Sequence, residues 1–372
     1  MKRQRKPQRK KIVLDPIYCG ALALLVLFGL FMVASSSLPT AVKDYGKPLY
    51  FFHRQLIFVL LGLVAALVVM RIPLKLLRRL SPLFFLISLG LMMLLFTSYG
   101  VNIWGQVRWL RIPGTGILFM PADFLKLSAI LFTAHVLTVG RKFPRKVVFF
   151  AMVFILGLSV AAIAIRDFST AAVHGITLVA MYFAAGMGFQ EGVLIFGGAA
   201  LGARLLVTMD KFAYRLERIM TFLDPFDDIQ DTDWQLAHSL YALGIGGLFG
   251  QGPLRSRLKA GYLPLPYNDF IFAIVGEEWG LIGCLFVIVL YGILTWRGFY
   301  LVTKTKSPYA RLVAVGIVTS VAVQAFFNMG VSAGILPVTG LPLPFVSYGG
   351  TTMVVSFAAV GILFGIMSRK GE

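Results

Sequence analysis

The chain has 372 residues, of which 58% are hydrophobic and 14% are charged. Because a soluble domain carries roughly 25% charged residues, this composition excludes an ordinary soluble protein and predicts a polytopic membrane protein. The formal net charge of +19 indicates topology and attraction to anionic lipids of the inner leaflet, and nucleic-acid binding is the weaker interpretation.

Ten apolar runs are long enough to cross about 30 Å of hydrocarbon, which takes roughly 20 residues each. They lie near residues 17–36, 53–70, 81–99, 121–139, 147–165, 169–187, 190–208, 270–296, 312–333 and 350–368. The first run is too long for the core of a cleaved signal peptide, so we expect it to be retained as a helix. The predicted fold class is an all-α polytopic membrane protein with about ten transmembrane helices.

Basic residues mark the predicted cytoplasmic side, because short cytoplasmic loops are enriched in Lys and Arg. The clusters fall within residues 2–11, 71–79, 141–146, 297–311 and 369–370. This pattern predicts that both termini are cytoplasmic and that one long extracytoplasmic loop, about 209–268, joins helices 7 and 8. The predicted organisation is a basic cytoplasmic tail (1–14), a single transmembrane domain (15–368) and a cytoplasmic C-terminus (369–372).

Two basic side chains lie just before and within the fourth run. Arg108 stands beside Trp109, and this pair is equally consistent with an interfacial anchor and with a phosphate-binding cation. Lys126 lies inside an apolar helix, where an ionisable group is functional by default. Phosphate binding is therefore favoured over a lysine that extends to the membrane interface.

The long loop contains an acidic cluster at Asp227–Asp233 and a helical pattern at 236–249. The cluster lacks the central Gly and closing Glu of an EF-hand, so a solvated loop is favoured over calcium binding. A loop of this length is usually functional or disordered, and the helical pattern argues against disorder. The four histidines are scattered and suggest no closed set of metal ligands.

Acidic residues gather where this loop enters the eighth run. Asp269 follows a proline-rich approach and is expected to be partly desolvated, so that it could take up a proton if burial raised its pKa. Its alternative role is to cap the next helix. Glu277 and Glu278 are either a helix-packing charge pair or functional acids.

A segment rich in proline and glycine, Leu341–Thr352, separates the last two runs. Pro342 and Pro344 lack N–H donors and cannot continue a regular helix. Irregular backbone at membrane depth persists only where protein or a wet cavity satisfies its polar groups. This segment is therefore predicted to line a cavity.

Long motifs occur in order along nearly the whole chain. They include Arg215-x-x-Arg218, Phe222-Leu223-Asp224-Pro225, Gly244-x-Gly246-Gly247-Leu248-Phe249-Gly250, Asn268-Asp269-Phe270-Ile271-Phe272-Ala273, Glu277-Glu278-x-Gly280, Asn328-Met329-Gly330 and Leu336-Pro337-x-Thr339-Gly340-x-Pro342-Leu343-Pro344-Phe345. This pattern resembles the SEDS family, the shape, elongation, division and sporulation proteins. Ser239–Ala242, Ser256–Lys259 and Tyr262–Pro264 are more similar to the division and spore-cortex (FtsW/SpoVE) branch than to the elongation (RodA) branch.

The resemblance implies a peptidoglycan glycosyltransferase of the bacterial cytoplasmic membrane that polymerises lipid II at the outer face, in cell division or spore-cortex synthesis. Asp269 takes the position of the family's essential carboxylate and would act as general base. Substrate-binding roles are implied for Arg108, Asp123, Lys126, Asp167, Thr170, Arg215, Arg218, Lys259, Asn268, Glu277, Ser347, Tyr348, Gly349 and Gly350. The implied partners are a class B penicillin-binding protein, whose transpeptidase crosslinks the glycan, and other membrane proteins of the division or elongation machinery.

Three stretches depart from the family pattern. Met120-Pro121-Ala122-Asp123 replaces the usual Gln-Pro-Ser-Glu, Arg166-Asp167-Phe168-Ser169-Thr170 replaces Pro-Asp-x-Gly-Thr, and Leu265 and Tyr267 replace Glu and His. Asp123 and Asp167 either assist a divalent cation, Mg²⁺ or Mn²⁺, or simply satisfy Lys126 and Arg166. The departures are the support for a second class, a scaffold without catalysis. A third class, a transporter of lipid-linked precursors, would often repeat its broken helices in both halves, and no such repeat is evident.

Overall fold

A computed structural model describes residues 14–103, 106–112, 114, 118–208, 222, 224–227 and 234–368. Within them the helices are α1 (Pro16–Tyr45), α2 (Tyr50–Arg71), α3 (Leu74–Met93), α4 (Pro121–Gly140), α5 (Arg145–Ala164), α6 (Phe168–Ala184), α7 (Phe189–Thr208), α8 (Trp234–Gly246), α9 (Ile271–Lys304), α10 (Pro308–Ser332) and α11 (Gly350–Ser368). A short 3₁₀ turn, Leu94–Phe96, follows α3. Most of the predicted basic tail, the C-terminal residues 369–372, Arg215 and Arg218 lie outside the described residues.

Every predicted apolar run coincides with a helix, but the runs differ in length. Among the described residues, eight helices are long and apolar enough to cross a membrane, whereas α6 and the apolar stretch Phe189–Gly202 of α7 are shorter. With 17 residues, α6 extends roughly 25 Å at 1.5 Å per residue. The helix begins at its cap Asp167 and ends before Gly186, whose φ of 100° is left-handed. The sequence therefore located this helix correctly and overestimated its length.

A small antiparallel sheet between α3 and α4 was not predicted. Its strands are β1 (Gly100–Ile103), β2 (Gln106–Arg111) and β3 (Leu118–Phe119), in the order β1-β2-β3. Gly100 pairs with Leu110, and Arg111 pairs with Leu118. Val107, Trp109 and similar side chains favour strands, but strands this short give a weak sequence signal. The sheet matters because β2 carries Arg108.

The helices pack around a core of aliphatic side chains. Helix α2 lies along α11, α3 along α4, and α9 contacts α1, α8 and α10, while α6 contacts α5 and α10. Fully buried residues such as Leu25, Leu125 and Ile274 fill the interior. Leucines on the outer face of α2, among them Leu60 and Leu61, remain exposed, as expected for a surface that faces lipid.

Helix α9 is broken at Gly280, and backbone from the preceding loop fills the break. Gly280 has φ 66° and ψ −162°, a conformation that is essentially restricted to glycine. The hydrogen bonds across the break run from Gln251 N to Glu277 O (2.8 Å), Gly252 N to Glu278 O (3.0 Å), Leu281 N to Gly247 O (2.9 Å) and Ile282 N to Leu248 O (3.3 Å). The loop thus satisfies the backbone groups that the broken helix cannot pair.

The long loop contains α8, as the helical pattern predicted. The helix begins at Trp234 and ends at Gly246, earlier than the predicted end at 249, because Gly247 adopts a left-handed φ of 55°. Of the acidic cluster, Asp227 is described and exposed, and Asp228, Asp231 and Asp233 lie outside the described residues.

Candidate functional site

The irregular segment between α10 and α11 has its backbone carbonyls paired one after another. The acceptors and donors are Leu341 O with Asn328 Nδ2 (2.7 Å), Pro342 O with Gln324 Nε2 (2.9 Å), Leu343 O with the N–H groups of Val346 and Ser347, and Pro344 O with the Tyr291 hydroxyl. Protein therefore satisfies these carbonyl groups, as irregular backbone within a membrane requires. Pro344 also lines a cleft, which confirms the prediction of a cavity here.

Asp269 lies two residues before α9 and is half-buried. The helix begins at Ile271 with Phe270 as its N-cap and without a side-chain capping bond, so the capping role for Asp269 is wrong. Asn328 Nδ2 donates to the Asp269 carbonyl (2.8 Å), and the Ser347 hydroxyl donates to the Asn268 carbonyl (2.5 Å). Helix α10 and the irregular segment thus fix the backbone that carries Asp269.

The carboxylate of Asp269 and the guanidinium of Arg108 face the same point beside Gly340. A Cβ atom at Gly340 would lie 3.4 Å from Asp269 Oδ2 and 3.6 Å from Arg108 Nη1. Gly340 also has a left-handed φ of 68°, which favours glycine. A side chain at this position would therefore crowd both charged groups.

Three polar atoms, on Arg108 and on residues that adjoin Gly340 or bind Asp269, are buried and have no hydrogen-bond partner among the described residues. They are Arg108 Nε, Asn328 Oδ1 and Thr339 Oγ1. Buried polar atoms in native proteins are usually paired, and each unpaired one costs about 1–3 kcal/mol. A ligand with many hydroxyl groups, such as a sugar, offers both donors and acceptors to such atoms.

Arg108 also joins the sheet to α6. Its Nη1 lies 3.2 Å from Asp167 Oδ2, and its side chain is 10% exposed. Asp167 in turn caps α6, accepting from Thr170 N (3.0 Å) and Thr170 Oγ1 (2.8 Å). Arg108 is therefore an interior residue rather than an interfacial anchor. The described ion pair of Asp167 is with Arg108, whereas Arg166 contacts Leu95 O and the ring of Phe96.

Lys126 lines the cleft together with Asp123. Its Nζ lies 2.9 Å from Asp123 Oδ1 and donates to Gln324 Oε1 at 3.1 Å, while the Thr352 hydroxyl donates to Asp123 Oδ2 (2.6 Å). We call Lys126 and Asp123 the cleft pair. Apolar side chains such as Ile130 and Ile317 make up most of the rest of the cleft lining, together with Ser320 and Ser356. A cation above an apolar cleft suits a ligand with an anionic head and a hydrocarbon tail.

Lys259 and Glu278 form a second ion pair, 2.7 Å apart, with 4% and 0% of their side chains exposed. The Ser35 hydroxyl contacts both charged groups. We call Lys259 and Glu278 the sealed pair. The neighbouring Glu277 accepts from the Ser256 hydroxyl and from Arg257 N. These contacts favour the helix-packing role for both glutamates, and substrate binding by Glu277 and Lys259 stays a prediction.

The remaining predicted positions lie at the end of the irregular segment and at the start of α11. The Ser347 hydroxyl accepts from Leu343 N (2.8 Å), and Gly349 N donates to Gln55 Oε1 (3.2 Å). Tyr348 packs edge-on against Tyr267, and Gly350 begins α11. Their described contacts are structural, so their substrate-binding roles stay predictions.

Nearly the whole chain matches one known protein family. The sequence profile of the FtsW/RodA/SpoVE family, described as "Cell cycle protein", matches residues 16–371. The chain belongs to this family. It is accordingly a multi-pass protein of the inner, cytoplasmic membrane.

Individual FtsW/RodA/SpoVE relatives agree with the predicted branch. The probable peptidoglycan glycosyltransferase FtsW of Trichlorobacter lovleyi is 36% identical over 349 residues, which is 92% of this chain and 90% of that protein. The stage V sporulation protein E of Bacillus subtilis is 35% identical over 351 residues, 92% of this chain and 94% of that protein. The resemblance to the division and spore-cortex branch is therefore confirmed.

Two solved structures share the FtsW/RodA/SpoVE fold. A chain from a study of polymerization and crosslinking by a peptidoglycan synthase complex superposes with a TM-score of 0.81 at 24% identity, covering 97% of this chain and all (100%) of that one. The Thermus thermophilus rod shape determining protein RodA gives 0.73 at 23% identity, covering 97% and 99%. These likenesses establish the fold.

Four residues of this FtsW/RodA/SpoVE site were not predicted as site residues: Gln324, Asn328, Thr339 and Gly340. Gln324 and Asn328 could have been flagged as polar side chains inside an apolar run. Gly340 could not, because its importance depends on Asp269 and Arg108, which are distant in the chain. Among the described residues, no group of three or more His, Cys, Asp or Glu side chains could hold a metal ion, so a cation bridging substrate to Asp123 or Asp167 stays a prediction.

Proposed function

We propose that this protein is a peptidoglycan glycosyltransferase that polymerises lipid II, with Asp269 as the general base. The observation that carries the proposal is the meeting of a carboxylate and a guanidinium beside Gly340. Neighbouring residues carry buried polar atoms without a described partner, and Pro344 of the irregular segment lines the cleft that the cleft pair borders. The relatives named peptidoglycan glycosyltransferase support the same activity.

In this proposal the acceptor sugar lies beside Asp269. The acceptor hydroxyl oxygen forms a bond to the anomeric carbon of the donor, and its proton passes to the Asp269 carboxylate. General-base catalysis requires hydrogen-bond reach to that proton. The half-buried position at the end of the loop lets a sugar reach Asp269 while the backbone on either side is held.

The leaving group is a lipid pyrophosphate, which departs with the electron pair of the broken anomeric C–O bond. Negative charge develops on its oxygens, and fixed cations stabilise that charge. Arg108, which faces the point beside Gly340, is placed to stabilise the developing charge, and Lys126 in the cleft holds the charge that the pyrophosphate already carries in the bound substrate. Each cation is partly balanced by an acid, Asp167 or Asp123. The apolar cleft below Lys126 accommodates the first part of the lipid tail.

We also place the site at the outer face of the membrane, with both termini in the cytoplasm, because the basic clusters lie on the opposite side of the predicted topology. The partner we propose is a class B penicillin-binding protein. One structural neighbour comes from work on polymerization and crosslinking by a peptidoglycan synthase complex, and a crosslinking partner fits a polymerase of this kind.

The decisive experiment is polymerisation of purified lipid II by purified protein, alone and with its cognate penicillin-binding protein, in matched liposomes. We expect Asp269→Asn to lower the rate by about 10²–10⁴-fold, the usual contribution of a general base. Asp44→Asn is the matched control, because Asp44 is an exposed carboxylate outside the site. Retention of lipid II binding by Asp269→Asn would show that the variant is folded.

Three results would contradict the proposal. If the wild type makes no glycan even with its partner, a scaffold or a transporter becomes the better explanation. If wild type and Asp269→Asn both move lipid II across liposomes without making glycan, transport is favoured. An Asp269→Asn variant that polymerises at the wild-type rate would remove Asp269 from the mechanism.

A further inference from the structure

Two buried amide side chains lie one turn apart on α10, between the two halves of the site. Gln324 and Asn328 are 5% and 1% exposed, in a helix whose neighbouring side chains are mostly apolar. Residues four apart on a helix lie on the same face. Both amides therefore point at the irregular segment that follows the helix.

Gln324 connects this segment to the cleft pair. Its Oε1 accepts from Lys126 Nζ (3.1 Å), and its Nε2 donates to Pro342 O (2.9 Å). An ammonium group has three protons to donate, and Asp123 and Gln324 are its two described acceptors. Gln324 thus fixes the direction in which the Lys126 ammonium faces the cleft without adding a negative charge.

Asn328 connects the same segment to Asp269. Its Nδ2 donates both to Asp269 O (2.8 Å) and to Leu341 O (2.7 Å). The carbonyls that the two amides hold, Leu341 O and Pro342 O, belong to consecutive residues. One rigid turn of α10 therefore sets the distance between Lys126 and Asp269 through adjacent peptide groups.

We infer that Gln324 and Asn328 are positioning residues with separate tasks, Gln324 for the lipid pyrophosphate and Asn328 for the base. The inference rests on the proposed function. An error of about 1 Å in the placement of a reacting group can cost two orders of magnitude in rate. Gln324 acts through Lys126 on ground-state binding, whereas Asn328 acts through the backbone of Asp269 on the chemical step.

The test compares KM for lipid II with kcat in three variants on the same helix. Gln324→Glu places a second carboxylate beside Lys126, so we expect KM to rise about tenfold while kcat stays within about threefold. Asn328→Ala frees the backbone of Asp269, so we expect kcat to fall about tenfold with KM within about threefold. Ser332→Ala is the control, because the buried Ser332 hydroxyl has no described partner, and neither constant should change.

A second measurement keeps the inference testable when activity is low. Binding of undecaprenyl pyrophosphate to each purified variant in detergent should weaken about tenfold for Gln324→Glu and stay unchanged for Asn328→Ala. Gln324→Met, which has similar size and no charge, should recover part of that binding. If an unfolded fraction explains low activity, the midpoint temperature of thermal unfolding will fall, while KM and kcat per folded molecule stay at wild-type values. That result would contradict the inference.

The outcomes separate the inference from the proposed function. A wild type that makes no glycan contradicts the proposed function. An active wild type whose Gln324→Glu and Asn328→Ala variants change KM and kcat together, or leave both unchanged, contradicts the separate tasks alone.

Discussion

The cleft pair and the sealed pair have the same chemistry and opposite surroundings. Lys126 and Asp123 are 2.9 Å apart with 11% and 4% of their side chains exposed, and Lys259 and Glu278 are 2.7 Å apart with 4% and 0% exposed. The first pair borders a cleft and shares its lysine with an amide. The second is enclosed by Ser35 and the broken helix α9.

On the roles proposed for the two pairs, an ionised side chain in a membrane protein does not identify a functional site by itself. Burial of a charge in a membrane is costly, which is the reason such residues are read as functional. A buried pair can equally hold elements together, and its removal then affects folding rather than chemistry. What separates the two roles is whether a ligand can reach the cation.

The largest expected effect is on stability, at the sealed pair. Lys259→Met leaves the Glu278 carboxylate buried without its cation, and we expect a loss of about 3–5 kcal/mol. The double variant Lys259→Met with Glu278→Met should recover most of that loss, since buried pairs can be replaced by apolar side chains. The midpoint temperature of thermal unfolding in detergent measures the loss in the single variant and the recovery in the double variant. Equal stability of the single and double variants would contradict a structural role for the pair.

The next effect is on activity, at the cleft pair. We expect Lys126→Met with Asp123→Asn to lower kcat/KM about 10–100-fold, because a hydrogen bond to a charged group contributes about 1.5–3 kcal/mol. Thr352 can still bond to residue 123, so the fold should persist. The matched control is Lys259→Met with Glu278→Gln, measured by lipid II polymerisation per folded molecule. A larger activity loss in that control would reverse the assignment of the two pairs.

A substitution at the glycine in the break of α9 tests the enclosure of the sealed pair. Gly280→Ala should destabilise the protein by about 1–3 kcal/mol, because the residue would be strained at this φ and ψ. Its Cβ would also come 2.5 Å from Gly250 N. Gly244→Ala in α8 is the control, since a Cβ there meets no atom within 4 Å. If Gly280→Ala left the free energy of unfolding unchanged, the break would tolerate a side chain and this prediction would be wrong.

A third pair, near the start of the first helix, gives the smallest expected effect. Asp15 and Arg297 are 12% and 18% exposed, and we expect Asp15→Asn to cost about 0.5–1 kcal/mol. Burial acts to raise the pKa of Asp15, but hydrogen bonds from Arg297 and backbone N–H groups outweigh it and hold the pKa below its ordinary 3.8.

The sign of the pH dependence follows from that lowered pKa. The contribution is fully present above the unfolded pKa, near pH 4, and is lost as pH falls through the lower folded value. Thermal unfolding of wild type and Asp15→Asn should therefore differ at pH 7 and converge near pH 2. A difference that persists at pH 2 would contradict the ion-pair explanation.

Local patterns predicted the helices well, because length and hydrophobicity are properties of contiguous residues. The irregular segment was equally predictable, since Pro342 and Pro344 rule out a regular helix locally. The β1–β3 sheet was missed because its strands are short and mix polar with apolar side chains. The sequence named Asp269, Arg108 and Lys126 as candidate site residues. It did not predict the contacts that hold their side chains and backbone in place.

Their positions depend on contacts between residues far apart in the chain. Asp167 meets Arg108 only after the sheet and α6 come together, and Gln324 reaches Lys126 from another helix. No periodicity in a single sequence encodes such pairings. Glu277 and Glu278 show a related limit, because their sequence left a packing role and a functional role equally open, and only the structure shows both engaged in contacts with the loop.

The break in α9 has a mechanical consequence. The half-helix before Gly280 starts beside Asp269 and ends where the loop backbone is hydrogen-bonded into the break. Both ends of this rod, roughly 14 Å long, are thus attached to the long loop, and the far end also continues through Gly280 into the lower part of α9. A partner that binds the loop would therefore act at both ends of the rod, and a shift of Asp269 would have to break the hydrogen bonds that α10 and the irregular segment make to its backbone.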